Sequence, residues 1–219
     1  MTVKANAVLS AENGPIYLDA GVTVHEGAVL RGPLYMGPMS QANANAKLDG
    51  LAVGPGCKIG GEVHTTIVFG FSNKAHDGFM GHTYVGQWCN IGAGTDTSNL
   101  RNDYGPVALY SMHERAMQST GKQFMGLVLG DHSKCSIGTT FNTGTVVGVG
   151  CNLYGPGFHD RFVPAFTWGS PGAYSPYRID KFLRVAEAVM PRRDRELTPE
   201  QEELLRYLSV QANTERPTD

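Results

Sequence analysis

Apolar side chains recur along this chain every six residues. Stepping from Leu18 gives Val24, Leu30, Met36, Ala42 and Leu48, and four positions after each stand Val22, Ala28, Leu34, Ser40, Ala46 and Ala52. A second run, Leu129, Cys135, Phe141, Val147 and Leu153, is matched by Ser133, Thr139, Thr145 and Cys151. Between the runs, Val53 and Ile59 go with Cys57 and Val63, and Val85 and Ile91 go with Cys89 and Thr95. A period of six suits neither the 3.6 of a helix nor the alternation of an ordinary strand. It suits a chain that lays down a short strand, turns a corner and repeats, with one aliphatic and one small residue pointing inward on each side. Three sides close one coil, and stacked coils bury ladders of like residues.

The grid also breaks. It advances by five from Leu48 to Val53 and from Met80 to Val85, and it is lost between about Val63 and Met80 and again from Ser98 to Gly126. Places where a consistent local rule fails tend to be functional sites or insertions. The second gap, holding Tyr104–Tyr110 and Lys122–Gly126, reads as an excursion off the prism, a hairpin arm. After Tyr154 the repeat ends. The segment Gly155–Pro176, rich in aromatics, Gly and Pro, is expected to wrap the prism end or a neighbouring subunit. A helix is predicted from about Arg178 to Val189. A second opens at Thr198-Pro-Glu-Gln, with a capping threonine, proline at the first position and acids in the first turn. Leu204, Leu205 and Leu208 form its expected buried stripe, and the residues beyond Gln211 are expected to fray. The fold class that follows is all-β: a left-handed parallel β-helix of hexapeptide repeats, with an inserted arm and a short C-terminal helical extension. The β-helix is assigned to residues 1–157, with its excursion at about 98–126, and the wrapping segment and helices to 158–219.

Composition narrows the functional classes. The 18 basic and 20 acidic side chains leave a net charge of −2, which gives no global field for nucleic acid or an anionic membrane. The first residues lack the apolar run of a signal peptide and no segment approaches a membrane span, so a cytoplasmic protein is expected. All four cysteines, Cys57, Cys89, Cys135 and Cys151, fall on inward grid positions, and none stand at Cys-x-x-Cys spacing. They are read as small buried hydrophobes rather than as metal ligands or disulfide partners.

Candidate chemistry gathers where the register slips. The richest polar stretch runs from Asn73 to His82 and is followed by Asn90-Ile-Gly-Ala-Gly-Thr95 and Asn99. A histidine at a repeat corner can act as a general base near neutral pH; the competing structural reading is a histidine that merely caps a turn. On these motifs the chain resembles the acetyltransferase half of the bifunctional enzymes that make UDP-N-acetylglucosamine. Residues 15–190 also resemble the repeat domain of bacterial sugar nucleotidyltransferase-like proteins, through Phe69-Gly-Phe-Ser-Asn-Lys-Ala-His-Asp-Gly78 and Gly130-Asp-His-Ser-Lys-Cys135. Such proteins usually carry an N-terminal nucleotidyltransferase domain, and the glycine-rich loop with arginine and lysine that such a domain needs does not occur in this sequence.

Counting back from Asn90 without a gap, the resemblance puts the catalytic base on His76 and the acid that orients it on Glu62. It assigns acceptor contacts to Asn90 and Asn99, and acetyl-CoA contacts to the backbone near Ala93 and Gly94. The tyrosine that follows the base in the family is Phe79 here, an acceptor lysine falls on His64, and an arginine one coil earlier falls on Ala46. Lys47 and Lys74 are candidates to replace the lost positive charges. The resemblance thus implies acetyl transfer from acetyl-CoA to a sugar-phosphate-like acceptor in a homotrimer, with no metal. Two other readings are a non-catalytic trimeric scaffold, or C-terminal module of a sugar-1-phosphate nucleotidyltransferase, and a zinc carbonic anhydrase-like site built from His64, His76 and His82. Of the remaining residues, Lys134, Arg192 and Arg193 are either solvated charges or contacts for a coenzyme A phosphate. His132 is expected to be structural at a corner, His159 to border a neighbouring subunit's site, and Trp88 to pack outside the prism.

Overall fold

Three parallel sheets run the length of the molecule, and the chain visits them in strict rotation, so that strands adjacent in a sheet lie one coil apart in sequence. The structure, a computed structural model, describes residues 1–214, with side chains through Ala212. Sheet A contains Thr23–Val24, Gln41–Ala42, Lys58–Ile59, Asn73–Lys74, Asn90–Ile91, Lys134–Cys135 and Asn152–Leu153; sheets B and C follow it around each coil. About nine coils stack in this way. The result is the hexapeptide-repeat β-helix that the periodicity predicts. Val24, Leu30, Met36, Ala42, Leu48, Val53 and Ile59 are almost wholly buried along its axis, each worth roughly 1.5–3 kcal/mol for a large aliphatic side chain and less for alanine.

One corner carries its own hydrogen-bond ladder. At the turn from sheet C to sheet A the inward positions are Ser40, Cys57, Ser72, Cys89, Ser133, Cys151 and Thr167, all buried. The Cys57 N–H donates to Ser40 Oγ (3.2 Å), the Ser72 N–H to Cys57 Sγ (3.4 Å), and the Cys89 N–H to Ser72 Oγ (2.9 Å). The serine and cysteine side chains also donate to a carbonyl one coil on, as Ser72 does to Gly86 (2.7 Å) and Cys89 to Gly130 (3.2 Å). The corner's backbone groups are thereby satisfied in the interior, as buried polar groups must be. Burial pushes the Cys57 thiol up to about 11 and the Cys89 thiol up to about 12, so both stay protonated. The inward reading of the cysteines stands.

Four expectations change. The coil between Val63 and Met80 is intact: Val63, Val68, Lys74 and Met80 occupy successive inward positions, with steps of five, six and six. It escaped the pattern because a lysine takes an aliphatic place. The β-helix also continues past residue 157, since Phe162–Val163 joins sheet C and Thr167–Ser170 joins sheet A. There the inward residues His159 and Gly169 carry no aliphatic signal. The second helix, Pro199–Thr214, buries Leu205 and packs Leu208 but leaves Leu204 56 % exposed. Its capping box forms as read, with the Gln201 N–H on Thr198 Oγ1 and the Thr198 N–H on Gln201 Oε1. The helix runs through Thr214, so fraying does not begin at Gln211; residues 215–219 lie outside the described residues. The fourth change concerns His159, which is 2 % exposed, stacks on Phe141 inside the prism and shares a 2.8 Å hydrogen bond with the Tyr174 hydroxyl, so it borders no surface site.

The excursion contains an antiparallel hairpin, Ala108–Ser111 with Ala116–Ser119. It folds back on its own prism: Tyr110 stacks on Phe162 at 3.7 Å, and Arg161 Nη2 donates to the Ala108 carbonyl. The C-terminal extension does the same on another side. Helix α1 (Ile179–Val189) seats Phe182 and Leu183 in a cluster with Phe166, Tyr177 and Leu205. Trp88, at an outer corner, lies under this cover, sandwiched between Phe71 (4.4 Å) and His132 (6.2 Å).

Candidate functional site

The chain crosses from sheet A to sheet B through Ala75-His76-Asp77-Gly78, and this corner holds the expected base. Gly78 has φ +123°, and a Cβ there would sit 2.2 Å from the Thr95 carbonyl oxygen, so only glycine permits the close approach of the two coils. His76 is exposed, and its imidazole makes no hydrogen bond or ion pair in the described structure. It opens onto a groove of about 750 Å³ whose walls include His25, Asn43, Lys58, Asp77 and Ala93. Ala93 stands one coil further along at the same corner. The Gly94 N–H is already spent on the Asp77 carbonyl (2.9 Å), so Gly94 cannot offer it to a ligand as expected. The Ala93 N–H has no acceptor in the described structure.

Beneath the corner lies Lys74. It points into the prism, 2 % exposed, and its Nζ donates to the His76 carbonyl at 2.5 Å. Burial holds its pKa below the usual lysine range, partly opposed by Asp77 and Asp96. A contact from Lys74 to an acceptor is therefore ruled out by direction: the residue is inward, and it braces the backbone of His76 instead.

The acid expected to orient His76 turns elsewhere. Glu62 Oε1 lies 3.2 Å from His64 Nε2, its other oxygen lies 3.8 Å from Lys47 Nζ, and Asp49 lies 3.9 Å from the second nitrogen of His64. Glu62 sits on the sheet B strand just past the corner, in a smaller groove with Lys47, Asp77 and Phe79 that shares Gly61 and Asp77 with the groove of His76. His76 and Glu62 are thus on adjoining grooves but are not a bonded pair, because the side chain two residues on along the same face, His64, takes the carboxylate.

Sheet B then leads to a second histidine that the sequence raised only as a metal ligand. His82 adopts φ +50° at the next corner and shares a 2.9 Å hydrogen bond with Asn99 Nδ2. Its ring stacks on Phe124 at 5.1 Å, while Phe79 lies 6.0 Å from His64. Burial and the neighbouring His64 both hold the His82 imidazole below its ordinary pKa, so it is neutral at neutral pH. His64 pairs across sheet B with Gly81, so His82 stands one position past that partner, at the corner. His76 is at a different corner of its coil, so the three histidines do not converge, and among the described residues no three His, Cys, Asp or Glu side chains are placed to hold a metal. Asn90 faces outward on sheet A, 3.4 Å from Asn73, on a different face from Asn99.

No protein-family profile matches the chain. Among curated proteins it is similar to the bifunctional protein GlmU of Methanocaldococcus jannaschii, 30 % identical over 107 residues, which cover 49 % of this chain and 26 % of that one. It is likewise similar to the GlmU of Methanococcus maripaludis strain C5, 31 % identical over 87 residues, or 40 % of this chain and 20 % of that one. The chain thus spans about a quarter or less of the length of these relatives. Among solved structures, a Bacillus cereus protein described as an acetyltransferase aligns over 96 % of this chain and 95 % of its own, with 12 % identity and a TM-score of 0.40. The polysialic acid O-acetyltransferase OatWY aligns over 80 % and 87 %, with 11 % identity and a TM-score of 0.26. Among the described residues no helix is long and apolar enough to cross a membrane.

Proposed function

We propose that this β-helix transfers an acetyl group from acetyl-CoA to an amine or hydroxyl of a sugar-phosphate-like acceptor, with His76 as the general base. The observation that carries the reading is the His76 corner: an exposed imidazole without a protein partner, on a wide groove of mixed polar and apolar lining whose wall includes Ala93, a residue whose N–H has no acceptor among the described residues. His76 accepts the proton of the attacking amine or hydroxyl as that group adds to the thioester carbonyl. The Ala93 N–H donates to the oxyanion that develops, where a placed donor has most effect. The imidazolium then returns its proton to the departing thiolate, so no covalent enzyme intermediate is needed. Lys74, from inside, keeps the His76 backbone in place.

Glu62 acts on the acceptor side in this reading, holding His64 rather than His76. The acceptor contacts Asn90 and Asn99 lie on different faces of one prism. A single acceptor touching both must therefore sit between two copies of the chain, which supports a homotrimer with shared sites. The similarity to bifunctional GlmU proteins agrees with this chemistry.

The test is thiol release from acetyl-CoA in the presence of amino-sugar phosphates. His76→Ala should lower turnover by roughly 10²–10⁴-fold, the usual contribution of a general base, with an unchanged circular dichroism spectrum. Wild-type turnover in that variant would remove His76 from the mechanism. A folded wild-type protein that releases no thiol with any acceptor would leave the scaffold or nucleotidyltransferase-module reading in its place.

A further inference from the structure

The C-terminal extension builds a second cavity, on the outer face of sheet A. After helix α1 the chain tightens into a 3₁₀ turn, Met190–Arg193, that lies against the prism. Arg193 fastens it: Nε donates to the Gly56 carbonyl (3.2 Å) and Nη2 to Asn73 Oδ1 (3.0 Å). Between turn and sheet is a pocket of about 240 Å³ lined by Asn73, Asn90, Lys134, Arg192 and Arg193, with Phe71 and Trp88 at its side.

The charge of this pocket is uncompensated. Lys134, Arg192 and Arg193 line it, no carboxylate does, and none of the three makes an ion pair among the described residues. Lys134 Nζ donates only to the His132 carbonyl (3.0 Å), and Arg193 bonds only neutral acceptors. Arg192 lends its carbonyl to Arg193, but its guanidinium is exposed and has no partner. Solvated surface charges do not need to converge. Here Lys134 and the adjacent pair Arg192 and Arg193, from two stretches more than fifty residues apart, meet in one concavity beside two amide side chains. The volume is below the roughly 300–1,000 Å³ of sites that enclose a whole drug-sized ligand, so the cavity suits an anionic head group whose carrier remains outside.

We infer that this pocket is a binding site for a phosphoryl group, held by Lys134, Arg192 and Arg193 with Asn73 and Asn90. Three positive side chains match a dianion better than a single carboxylate, and guanidinium groups favour planar and tetrahedral oxyanions through paired N–H donors. Burial holds the Lys134 pKa below the usual lysine range, and an anion bound beside it would favour the charged form. The site goes beyond the acyl-transfer reading and does not depend on His76, although Asn90 belongs to both sets.

Calorimetric titration of the full chain with inorganic phosphate tests it, in a buffer free of other oxyanions. The expected result is saturable binding that weakens with added sodium chloride and falls at least tenfold in Arg192→Glu, a reversal at an exposed side chain that leaves the fastening bonds of Arg193 in place. Lys134→Gln should weaken binding as well, and His76→Ala should leave it unchanged, which separates this site from the acyl-transfer corner. A hexose 1-phosphate and a nucleoside 3′-phosphate then distinguish the two sources of such a group. No saturable binding to the folded wild type, or binding in Arg192→Glu and Lys134→Gln as tight as in the wild type, overturns the assignment.

Discussion

Ser72 is the clearest place to test how the corners of this prism are held. Its Oγ accepts the Cys89 N–H at 2.9 Å and donates to the Gly86 carbonyl at 2.7 Å, and the residue is 1 % exposed. Ser72→Ala keeps the shape of the side chain but leaves both backbone groups unpaired in a place water does not reach. An orphaned buried donor costs about 1–3 kcal/mol, and the Gly86 carbonyl orphaned with it adds a cost at the low end of that range. The expected loss is therefore roughly 2–4 kcal/mol, which for a chain of this size lowers the melting temperature by roughly 5–15 °C. Ser72→Cys is the control, because Cys57 and Cys89 on the neighbouring coils already play this role through sulfur. That variant should stay within about 1.5 kcal/mol of wild type. Urea unfolding followed by far-ultraviolet circular dichroism and by tryptophan fluorescence measures both. If Ser72→Ala loses less than about 0.5 kcal/mol, or no more than Ser72→Cys, the ladder is geometry without energy and the argument fails.

The thiols offer a second check: with Cys57 and Cys89 raised to about 11 and 12 by burial, native protein at pH 8 should react negligibly with Ellman's reagent, while denatured protein shows all four cysteines. Rapid labelling of native Cys57 or Cys89 would contradict their inward placement. His132 supplies a pH dependence. Burial, then Lys134, pushes its pKa down to about 4 from an ordinary 6.5, so the unfolded chain takes up its proton at a higher pH than the folded one. Stability is full above pH 6.5 and falls as the pH drops toward 4, by roughly 3 kcal/mol if His132 acts alone. His132→Phe, which keeps an aromatic ring between Trp88 and Phe182, should lose less stability than wild type over that window. Parallel losses in the two proteins would show that other groups carry the acid sensitivity.

Much of the scaffold was written in residue order. A six-residue period can be satisfied only by a chain that turns a corner after each short strand, so the three-sided coil and the inward cysteines follow from spacing alone, and the second helix from its capping residues. The pattern fails where an inward position is not aliphatic. Lys74 hides a whole coil, because its charge is accommodated by the His76 carbonyl and not by any neighbour visible in the sequence; His159 and Gly169 hide the last coils for the same reason. The site was legible only as a list of residues. His76 and Ala93 come together because a coil closes between them. Glu62, aligned with His76 by resemblance, is drawn to His64 because side chains two apart on a strand share a face. Nothing local to Lys134 or to Arg192 and Arg193 shows that they meet. That depends on the angle at which α1 leaves the prism, set by the packing of Phe166, Tyr177 and Phe182. Periodicity determines which way each side chain points along a coil, whereas contacts between distant coils and a folded-back tail are decided only when the whole chain is packed.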